Sequence, residues 1–302
     1  MIPSNRGVGP MTRQFSILRV VFIALALISG SCESSDADNT SPMNLIRMTV
    51  QNEIRSNNGG AKFRFKDYKE TGHGSQTKMV IETHQATAGM LIAVDGKPLT
   101  AQQRNQEATR LDGLANNPEE LKKKQKAERD DTDRTMRIMK ALPDAFIYER
   151  DNTPVTELGA PGHELVRFRF RPNTNYVPPT HTEQVLTGMS GYLLIDAKEH
   201  RIAEINGTLT KDVGFGWGIL GRLDKGGRFV VVQSEVAPDD WEVTRMDLDF
   251  TGRELLFKKI SIKSNEVCSD FQAVPRDISF KQAVDMLKKA SAEWAENRQP
   301  NH

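Results

Sequence analysis

Cysteine is scarce in this chain of 302 residues, which contains only Cys32 and Cys268. A framework of several disulfides is therefore excluded, and so is a zinc site built from paired C-x-x-C motifs. The only possible disulfide partner of Cys268 lies close to the amino terminus. We interpret Cys268 as a bystander, either buried or on the surface.

An excess of charge of either sign is also missing, because 41 basic residues face 40 acidic ones. Three of the basic residues, Arg6, Arg13 and Arg19, precede the first acidic residue, Glu33. A chain that began after residue 31 would carry 38 basic and 40 acidic side chains, a net charge of about −2. This balance gives no general attraction to nucleic acid or to anionic membranes, so we expect no nucleic-acid partner.

The apolar run "VVFIALALI", residues 20–28, is too short to cross a bilayer, because its nine residues compare with the roughly 20 that a spanning helix needs. Arg13 and Arg19 precede the run, and the small residues "SGS" follow it. A basic segment, a short apolar segment and a small-residue cleavage site are typical of a secretory signal peptide. We therefore predict that residues 1–31 are a signal peptide and that the protein is exported.

Cys32 completes the sequence "LISGSC", which resembles the lipobox of bacterial lipoproteins. That resemblance implies that Cys32 is lipidated and becomes the new amino terminus. Gly30 and Ser31 fit the pattern, whereas Ser29 stands where a Leu-like residue is usual. The alternative is cleavage after Ser31 by an ordinary signal peptidase, which would leave a soluble periplasmic or secreted protein.

The polar segment "ESSDADNTSP", residues 33–42, favours the anchored form. Such a turn-rich stretch is typical of a tether that holds a folded domain away from a membrane. We therefore predict a lipid-anchored tether over residues 32–42, so that the membrane is a partner through Cys32. Glu33 stands where inner-membrane lipoproteins carry Asp as a retention signal, which favours the outer membrane. The expected location is the cell envelope, facing the periplasm.

Alternation of apolar and polar residues with period two dominates the rest of the chain and predicts β-strands. "KFRFKDY" places Phe63 and Phe65 on one face, and "LVRFRFR" does the same with Val166, Phe168 and Phe170. Short turns are predicted at residues 95–96, 198–200, 238–240 and 251–252. Strands joined by turns this short must be antiparallel, because a parallel pair needs a crossover of about a dozen residues.

Three segments depart from this alternation and predict helices. The first follows Ser41, carries Met43, Ile46, Val50 and Ile54 at helical spacing, and ends at the sequence "NNGG". The second, residues 101–141, is rich in charges of both signs and predicts one long solvated helix or a pair of helices. The third begins at a capping-box sequence, and its apolar face comprises Phe280, Val284, Leu287, Ser291 and Trp294.

These patterns together predict an α+β fold, namely a curved open antiparallel β-sheet, or half-barrel, with covering N-terminal, inserted and C-terminal helices. We expect a single β-rich domain over residues 43–296. The charged helical insertion lies within it at 101–141, and residues 297–302 form a flexible tail.

The segment "GFGWGILGRLDKGGRF", residues 214–229, contains the spacing G-x-G-x-x-G of dinucleotide-binding loops. Such a loop needs a helix directly after its last glycine, because the helix N-terminus binds the phosphates. A β-branched run follows instead, so we interpret the segment as a long hairpin connection. Its large apolar residues either plug the end of the core or contact an apolar ligand, and the candidate ligand-binding residues are Phe215, Trp217, Ile219 and Leu220.

Catalytic and metal-binding motifs are missing as well. The six histidines show no H-E-x-x-H or other metal spacing, and Ser190 in "GMSGY" does not lie in a G-x-S-x-G elbow. Asp196, Asp247 and Asp249 are carboxylates of the kind that strand ends and turns carry in any case. We therefore predict a protein that is not an enzyme and that uses no metal or cofactor.

Longer stretches carry two further resemblances. From "FRFRPNTNYVPPT" through "GYLLIDAKEHRIAEINGTLT" to "SDFQAVP", about residues 165–290, the chain resembles a family of uncharacterised secreted proteins from soil bacteria of the Acidobacteria type. In layout it is similar to the periplasmic lipoprotein-sorting carriers and receptors of the Lol type, including the RseB-like sensors. The second resemblance implies a half-barrel whose apolar concavity holds acyl chains, although the stretch at 101–141 is larger than that layout requires.

Two functional hypotheses follow from these observations. The first is a membrane-tethered periplasmic lipoprotein that binds an apolar ligand such as a lipid or the acyl chain of a lipoprotein. The second is a structural or protein-interaction module of the cell envelope, whose core is fully packed and has no ligand cavity. The presence or absence of an apolar cavity beside the sheet distinguishes them.

Overall fold

The computed structural model describes residues 41–56, 59–153, 155, 163–215, 221–254 and 258–296. The predicted signal peptide, all but the last two residues of the predicted tether and the predicted tail lie outside these ranges. Within them the helices are α1 (Pro42–Ser56), α2 (Ala101–Ala115), α3 (Pro118–Ala145) and α4 (Phe280–Glu296). The charged insertion is thus a pair of helices, the second of the two forms that the sequence allowed.

Thirteen strands accompany these helices in the described ranges. The first six are β1 (Lys62–Thr71), β2 (Gly74–Ile81), β3 (Ala88–Val94), β4 (Lys97–Pro98), β5 (Phe146–Asp151) and β6 (Leu165–Pro172). The next four are β7 (Met189–Asp196), β8 (Arg201–Leu209), β9 (Val213–Phe215) and β10 (Gly221–Leu223). The last three are β11 (Arg228–Ala237), β12 (Asp240–Glu254) and β13 (Lys258–Val274).

The strands form one antiparallel sheet in the order β4-β3-β2-β1-β13-β12-β11-β8-β7-β6-β5, with β9 and β10 attached to β12. The two ends of this order do not pair with each other, so the sheet is open, and the predicted α+β fold with a curved open sheet is confirmed. Pairing of β1 with β13 brings together segments about 200 residues apart, since Lys62 lies opposite Val274. The first and last strands of the chain therefore meet in the middle of the sheet.

The turn predicted at residues 251–252 is wrong, because β12 continues through both positions to Glu254. Gly252 is needed there for a different reason. The short strand β10 approaches β12 so closely that a Cβ atom at Gly252 would collide with the carbonyl oxygen of Arg222. The glycine therefore indicates a close backbone approach inside the sheet rather than a reversal of the chain.

Local signals explain where the two inserted helices begin. Thr100 caps α2 in a capping box with Gln103, whose side chain accepts a hydrogen bond from the Thr100 amide. Asn117 caps α3, where Pro118 occupies the first turn and Glu119 and Glu120 favour the positive end of the helix dipole. The adjacent asparagines at 116 and 117 therefore separate the insertion into two helices.

The C-terminal helix α4 packs on β2 and β3. Ser279 and Gln282 form the predicted capping box, with the Gln282 amide donating to the Ser279 hydroxyl at 3.3 Å and the Ser279 amide donating to Gln282 Oε1 at 2.9 Å. Helix α2 contributes Leu111 to the same core. The residues that α4 and the strands bury together include Phe280, Val284, Leu287, Met79, Ile81, Met90 and Ile92.

A second core forms between α1, the C-terminal part of α3 and strands β5 to β8. Its centre contains Ile46 and Val50 of α1, Leu142 of α3, and apolar side chains of the strands, among them Phe146, Phe168, Phe170, Leu193 and Ile195. The predicted apolar face of the first helix is thus confirmed for Ile46 and Val50, and Ile54 packs against the same core while partly buried. A 3₁₀ helix, Glu183–Gly188, adds Leu186 to this core.

The register places these two cores on opposite faces of the sheet, because residues directly opposite one another on paired strands point to the same side. Val80, which lies between Met79 and Ile81, points away from α4. Val80 lies opposite Phe65, and Phe65 shares its face of β1 with Lys69, four residues further along. From Lys69 a series of cross-strand pairs leads over the same face to the second core, and the pairs are Lys69–Glu266, Glu266–Met246, Met246–Val231, Val231–Ile205 and Ile205–Leu193. Helices therefore cover both sides of the sheet, at different ends of it.

Candidate ligand-binding cavity

A cavity of about 850 Å³ lies between α1, α3 and the face of the sheet that carries the second core. Its floor is made by β8, β11, β12 and β13, strands in the middle of the sheet. The main helix contacts of the sheet are those of α4 with β2 and β3, of α1 with β5 and β8, and of α3 with β5, so β11, β12 and β13 lie between them. The cavity occupies the space that the helices leave over the central strands.

The lining of the cavity changes from polar to apolar along three neighbouring strands. Register pairs align the positions, because Val231 lies opposite both Ile205 and Met246, and Gln233 lies opposite Val243. From the polar to the apolar end the lining residues are Arg201 and Ile205 on β8, then Gln233, Val231 and Phe229 on β11, then Asp240, Val243, Met246, Leu248 and Phe250 on β12. The same order on all three strands gives the cavity one polar end and one apolar end.

A buried ion pair lies at the polar end. Arg201 Nε and Nη2 of β8 donate to Glu53 Oε1 and Oε2 of α1, both at 3.0 Å. The Ile202 amide donates to Glu53 Oε1 at 2.7 Å, so the carboxylate accepts three hydrogen bonds in all. The Arg201 guanidinium also lies over the ring of Trp241, 5.9 Å from its centroid. This arrangement fixes α1 on β8 and leaves Arg201 neutralised by its partner.

Lys62 is the second cation at this end, and only 9% of the residue is exposed. Burial and, to a smaller extent, the charge of Arg276 lower the pKa of its ammonium, while the nearby carboxylates Glu82 and Glu242 act in the opposite direction. The ammonium makes no hydrogen bond or ion pair with any residue that the structure describes. Asp240 accepts a hydrogen bond from the Ala61 amide at 3.1 Å, which holds the β11–β12 hairpin against the start of β1.

Aromatic rings surround much of the apolar part. The Phe146 and Phe170 centroids lie 4.5 Å apart, and Tyr148 meets Phe146 edge to face at 6.1 Å. The Tyr148 hydroxyl donates to the Leu142 carbonyl at 2.8 Å, near the end of α3. Burial raises the pKa of Tyr148, so the phenol stays neutral. Its hydroxyl is therefore occupied by the helix, and its ring adds apolar surface to the cavity wall.

The structure describes one of the five residues predicted for lipidation or ligand binding. Phe215, the last residue of β9, is half-buried and lines the cavity beside Leu223 of β10. Strands β9 and β10 pair antiparallel, so the interpretation of this segment as a hairpin connection is confirmed for its described flanks. Trp217, Ile219 and Leu220, as well as Cys32, lie outside the described residues and stay predictions.

Sequence reasoning missed the polar end altogether. Glu53 lies three residues after Val50 and seven after Ile46, so a carboxylate interrupts the apolar face of the first helix. That position predicts a buried charge and hence a partner, although nothing in the sequence indicates that the partner is Arg201. The remaining residues of the polar end come from β1, the residue after β2 and the β11–β12 hairpin, which only the fold brings together.

The carboxylates considered from the sequence do not assemble a catalytic set among the described residues. Asp196 is fully buried and accepts hydrogen bonds from the Lys198 and Glu199 amides at 3.0 and 2.9 Å. His163 contacts Asp196 at 2.7 Å, and Lys198 contacts the other nitrogen of that ring at 3.1 Å. Asp196 therefore closes the β7–β8 turn. Among the described residues, no serine, threonine or cysteine side chain forms a hydrogen bond with His163.

One group of possible metal ligands lies on β1 and β13. Side-chain atoms of Asp67, Glu266 and Cys268 lie within 4.8 Å of one another. Glu266 forms an ion pair with Lys69 at 3.1 Å, which already supplies a cation to this group. Cys268 is 4% exposed and carries no disulfide, which fits its interpretation as a buried bystander.

Comparison with protein-family models, with curated proteins and with solved structures gives no significant match. The resemblances described from the sequence therefore stay predictions. Within the described residues, no helix is both long enough and apolar enough to span a bilayer. The fold and the cavity define the class of the molecule, an open antiparallel sheet with helices on both faces and an apolar cavity on one of them.

Proposed function

We propose that this protein is a membrane-tethered periplasmic lipoprotein that binds a lipid or another apolar ligand in the cavity between α1, α3 and the sheet. The observation that carries the proposal is the cavity itself, about 850 Å³ with walls made largely of aliphatic and aromatic side chains. Ligand-binding cavities have volumes of about 300–1,000 Å³ and walls of this kind. The candidate residue Phe215 contributes to that wall.

The size of the cavity argues against simple loose packing. An engineered apolar cavity of about 150 Å³ already binds benzene in preference to water. A space of about 850 Å³ leaves the half-buried side chains of Phe229, Leu248 and Phe250 without the neighbours that a packed core would provide. An acyl chain would supply those contacts at about 0.8 kcal/mol for each buried methylene group.

The second hypothesis, a structural or interaction module with a fully packed core, predicts that no such cavity exists. The cavity therefore favours the ligand-binding hypothesis over it. The lipoprotein part of the proposal is supported by the lipobox-like sequence at Cys32 and by the polar segment that follows it.

Ligand binding is tested by titrating residues 33–302, which contain every described element, with a neutral fluorescent acyl probe. We expect saturable uptake that natural lipids reverse. Val231→Trp should weaken uptake by roughly tenfold, because displacing two methylene groups at about 0.8 kcal/mol each has that effect. Val230→Trp, on the adjacent position that points to the other face of the sheet, should bind as the parent does.

Folding of each protein is checked by circular dichroism before titration. Absence of saturable uptake by the folded parent protein contradicts the proposal. Equal losses of probe uptake in Val231→Trp and Val230→Trp would show that the cavity is not the binding site.

The anchor is tested separately in cells supplied with labelled palmitate. Cys32→Ser should abolish incorporation of the label and should release the protein from the membrane fraction. A parent protein that is already unlabelled and soluble would show instead that an ordinary signal peptidase cleaves the chain after Ser31.

A further inference from the structure

The polar end of the cavity contains more carboxylates than cations. Five acidic residues line it, namely Glu53, Glu82, Asp239, Asp240 and Glu242, and they come from α1, the residue after β2 and the β11–β12 hairpin. Lys62 and Arg201 are the cations that line this end, and Arg276 lies close enough for its charge to act on the Lys62 ammonium. Glu53 binds Arg201 through two hydrogen bonds. Glu82 and Glu242 act on the Lys62 ammonium, and Asp239 and Asp240 line the same end of the cavity.

Two other ionisable residues line the cavity nearer to α3 and the 3₁₀ helix. Arg134 forms an ion pair with Asp131 on the same helix, so it adds no net charge. His181 is exposed, and its Nδ1 lies 3.3 Å from the Gln184 side chain. The excess of negative charge at the polar end is therefore not compensated by these two residues.

Lys62 provides the second observation. Its residue is more than nine-tenths buried, it lines the cavity, and its ammonium has no hydrogen-bond or ion-pair partner among the residues that the structure describes. The Lys62 nitrogen is not among the fully enclosed polar atoms, so the ammonium stays accessible from the cavity while most of the side chain is buried. A ligand oxygen at this end of the cavity would supply the missing acceptor.

We propose that the polar end holds the uncharged head of an amphiphile, a head that offers a carbonyl oxygen to Lys62 and an N–H or O–H donor to the carboxylates of the β11–β12 hairpin. Acyl amides and hydroxylated acyl esters have this chemistry. Free fatty acids and phosphate-headed lipids do not, because their negative charge would lie at an end of the cavity where acidic residues outnumber the cations. This inference rests on the function proposed above and specifies its ligand class.

The orientation follows from the lining. The chain of the amphiphile would lie along β11 and β12, over Val231 and Met246, and would end near Phe250. Its head would lie beside Lys62 and Asp240, where the start of β1 meets the hairpin. Discrimination between ligands is thus expected to depend on the head and only weakly on the chain.

The test compares ligands that share one chain, namely N-(2-hydroxyethyl)dodecanamide, dodecanoate and dodecyl phosphate. Each displaces the neutral fluorescent acyl probe from residues 33–302 at pH 8, where both acids are ionised. We expect the amide to displace the probe at a concentration at least tenfold lower than either anion. Equal potency, or tighter binding of an anion, overturns the inference while leaving the proposed function intact.

Two variants identify the groups responsible. In Asp240→Asn combined with Glu242→Gln, the preference for the amide over dodecanoate should fall at least threefold, because two negative charges are removed and the shapes are kept. Asp249→Asn, an exposed position on β12 that does not line the cavity, is the matched control and should keep the parent preference. A preference that is unchanged in the double variant contradicts the role of these carboxylates.

Lys62→Met should weaken binding of the amide by about tenfold, while the neutral probe binds as it does to the parent protein. Loss of binding by the probe as well, in a protein that still folds, would show that Lys62 maintains the shape of the cavity and does not contact a head group. If the parent protein takes up no probe at all, the proposed function fails, and this inference fails with it.

Discussion

Amphipathic helices cover both faces of the sheet, but α4 packs tightly on its face and α3 leaves a cavity on the other. Helix α4 buries seven of its 17 residues against β2 and β3, and several of them are alanines that allow close approach. Helix α3 has 28 residues but buries only five, and two of these are Glu128 and Thr132. Glu128 accepts a hydrogen bond from the Thr87 amide next to β3, whereas Thr132 lines the cavity. The continuous apolar stripe of α4 therefore fills its side of the sheet, while a polar residue interrupts the stripe of α3 where the cavity lies.

Truncating one phenylalanine on each face gives the largest expected difference. Phe280→Ala should lower the free energy of unfolding by about 3–5 kcal/mol, because Phe280 is fully enclosed between α4 and the sheet. Phe250→Ala should lower it by only about 1 kcal/mol, since that ring lies on the cavity floor and is half-buried. Urea denaturation of the two variants measures both values. Similar losses would mean that the floor at Phe250 is packed as tightly as the α4 interface.

Breaking the ion pair between α1 and β8 should have the next largest effect on the free energy of unfolding. Arg201→Met should lower the free energy of unfolding by about 3 kcal/mol, because Glu53 would stay buried without its cation. Glu53→Gln combined with Arg201→Met should recover much of that loss, since the glutamine oxygen can still accept from the Ile202 amide. Thermal unfolding at neutral pH makes the comparison. A double variant no better than Arg201→Met would show that bonding geometry matters here more than charge.

Replacing Lys62 should have the smallest effect on stability, and the size of that effect depends on pH. Because burial lowers its pKa in the folded state, the folded protein releases the proton at a lower pH than the unfolded chain does. Stability contributed by this site therefore rises as the pH passes from the folded value towards the ordinary lysine value of about 10.4. Lys62→Met should raise the melting temperature at pH 7, and its advantage over the parent should shrink as the pH approaches 10.

Lys62→Arg is the control for this effect, because an arginine stays protonated over the whole range. The difference in melting temperature between Lys62→Arg and Lys62→Met should not shrink as the pH rises. A constant difference between the parent and Lys62→Met would show that the lysine does not lose its proton in the folded protein over this range.

The sequence predicted the parts of the fold that depend on neighbouring residues. The capping box at Ser279, the apolar face of α4, the antiparallel strands and the turn at residues 198–200 all follow from spacings of a few residues and are confirmed. The turn at 251–252 was wrong, because glycine serves close backbone approach as well as chain reversal, and only the position of β10 distinguishes the two.

The candidate site was predicted only in part. Phe215 could be identified because large apolar residues between glycines are unusual in a hairpin. Glu53, Lys62, Arg201 and Asp240 could not, because each is an ordinary charged residue within its own segment. They become a site only when α1, β1, β8 and the β11–β12 hairpin meet.

The sequence by itself determined the antiparallel strands, the helices and their apolar faces, because period and capping act over one or two turns of chain. The tertiary structure alone decided which face of the sheet each helix covers and where a space is left uncovered. Both depend on the register between strands far apart in the sequence, and on the fit of helix surfaces that no local pattern encodes.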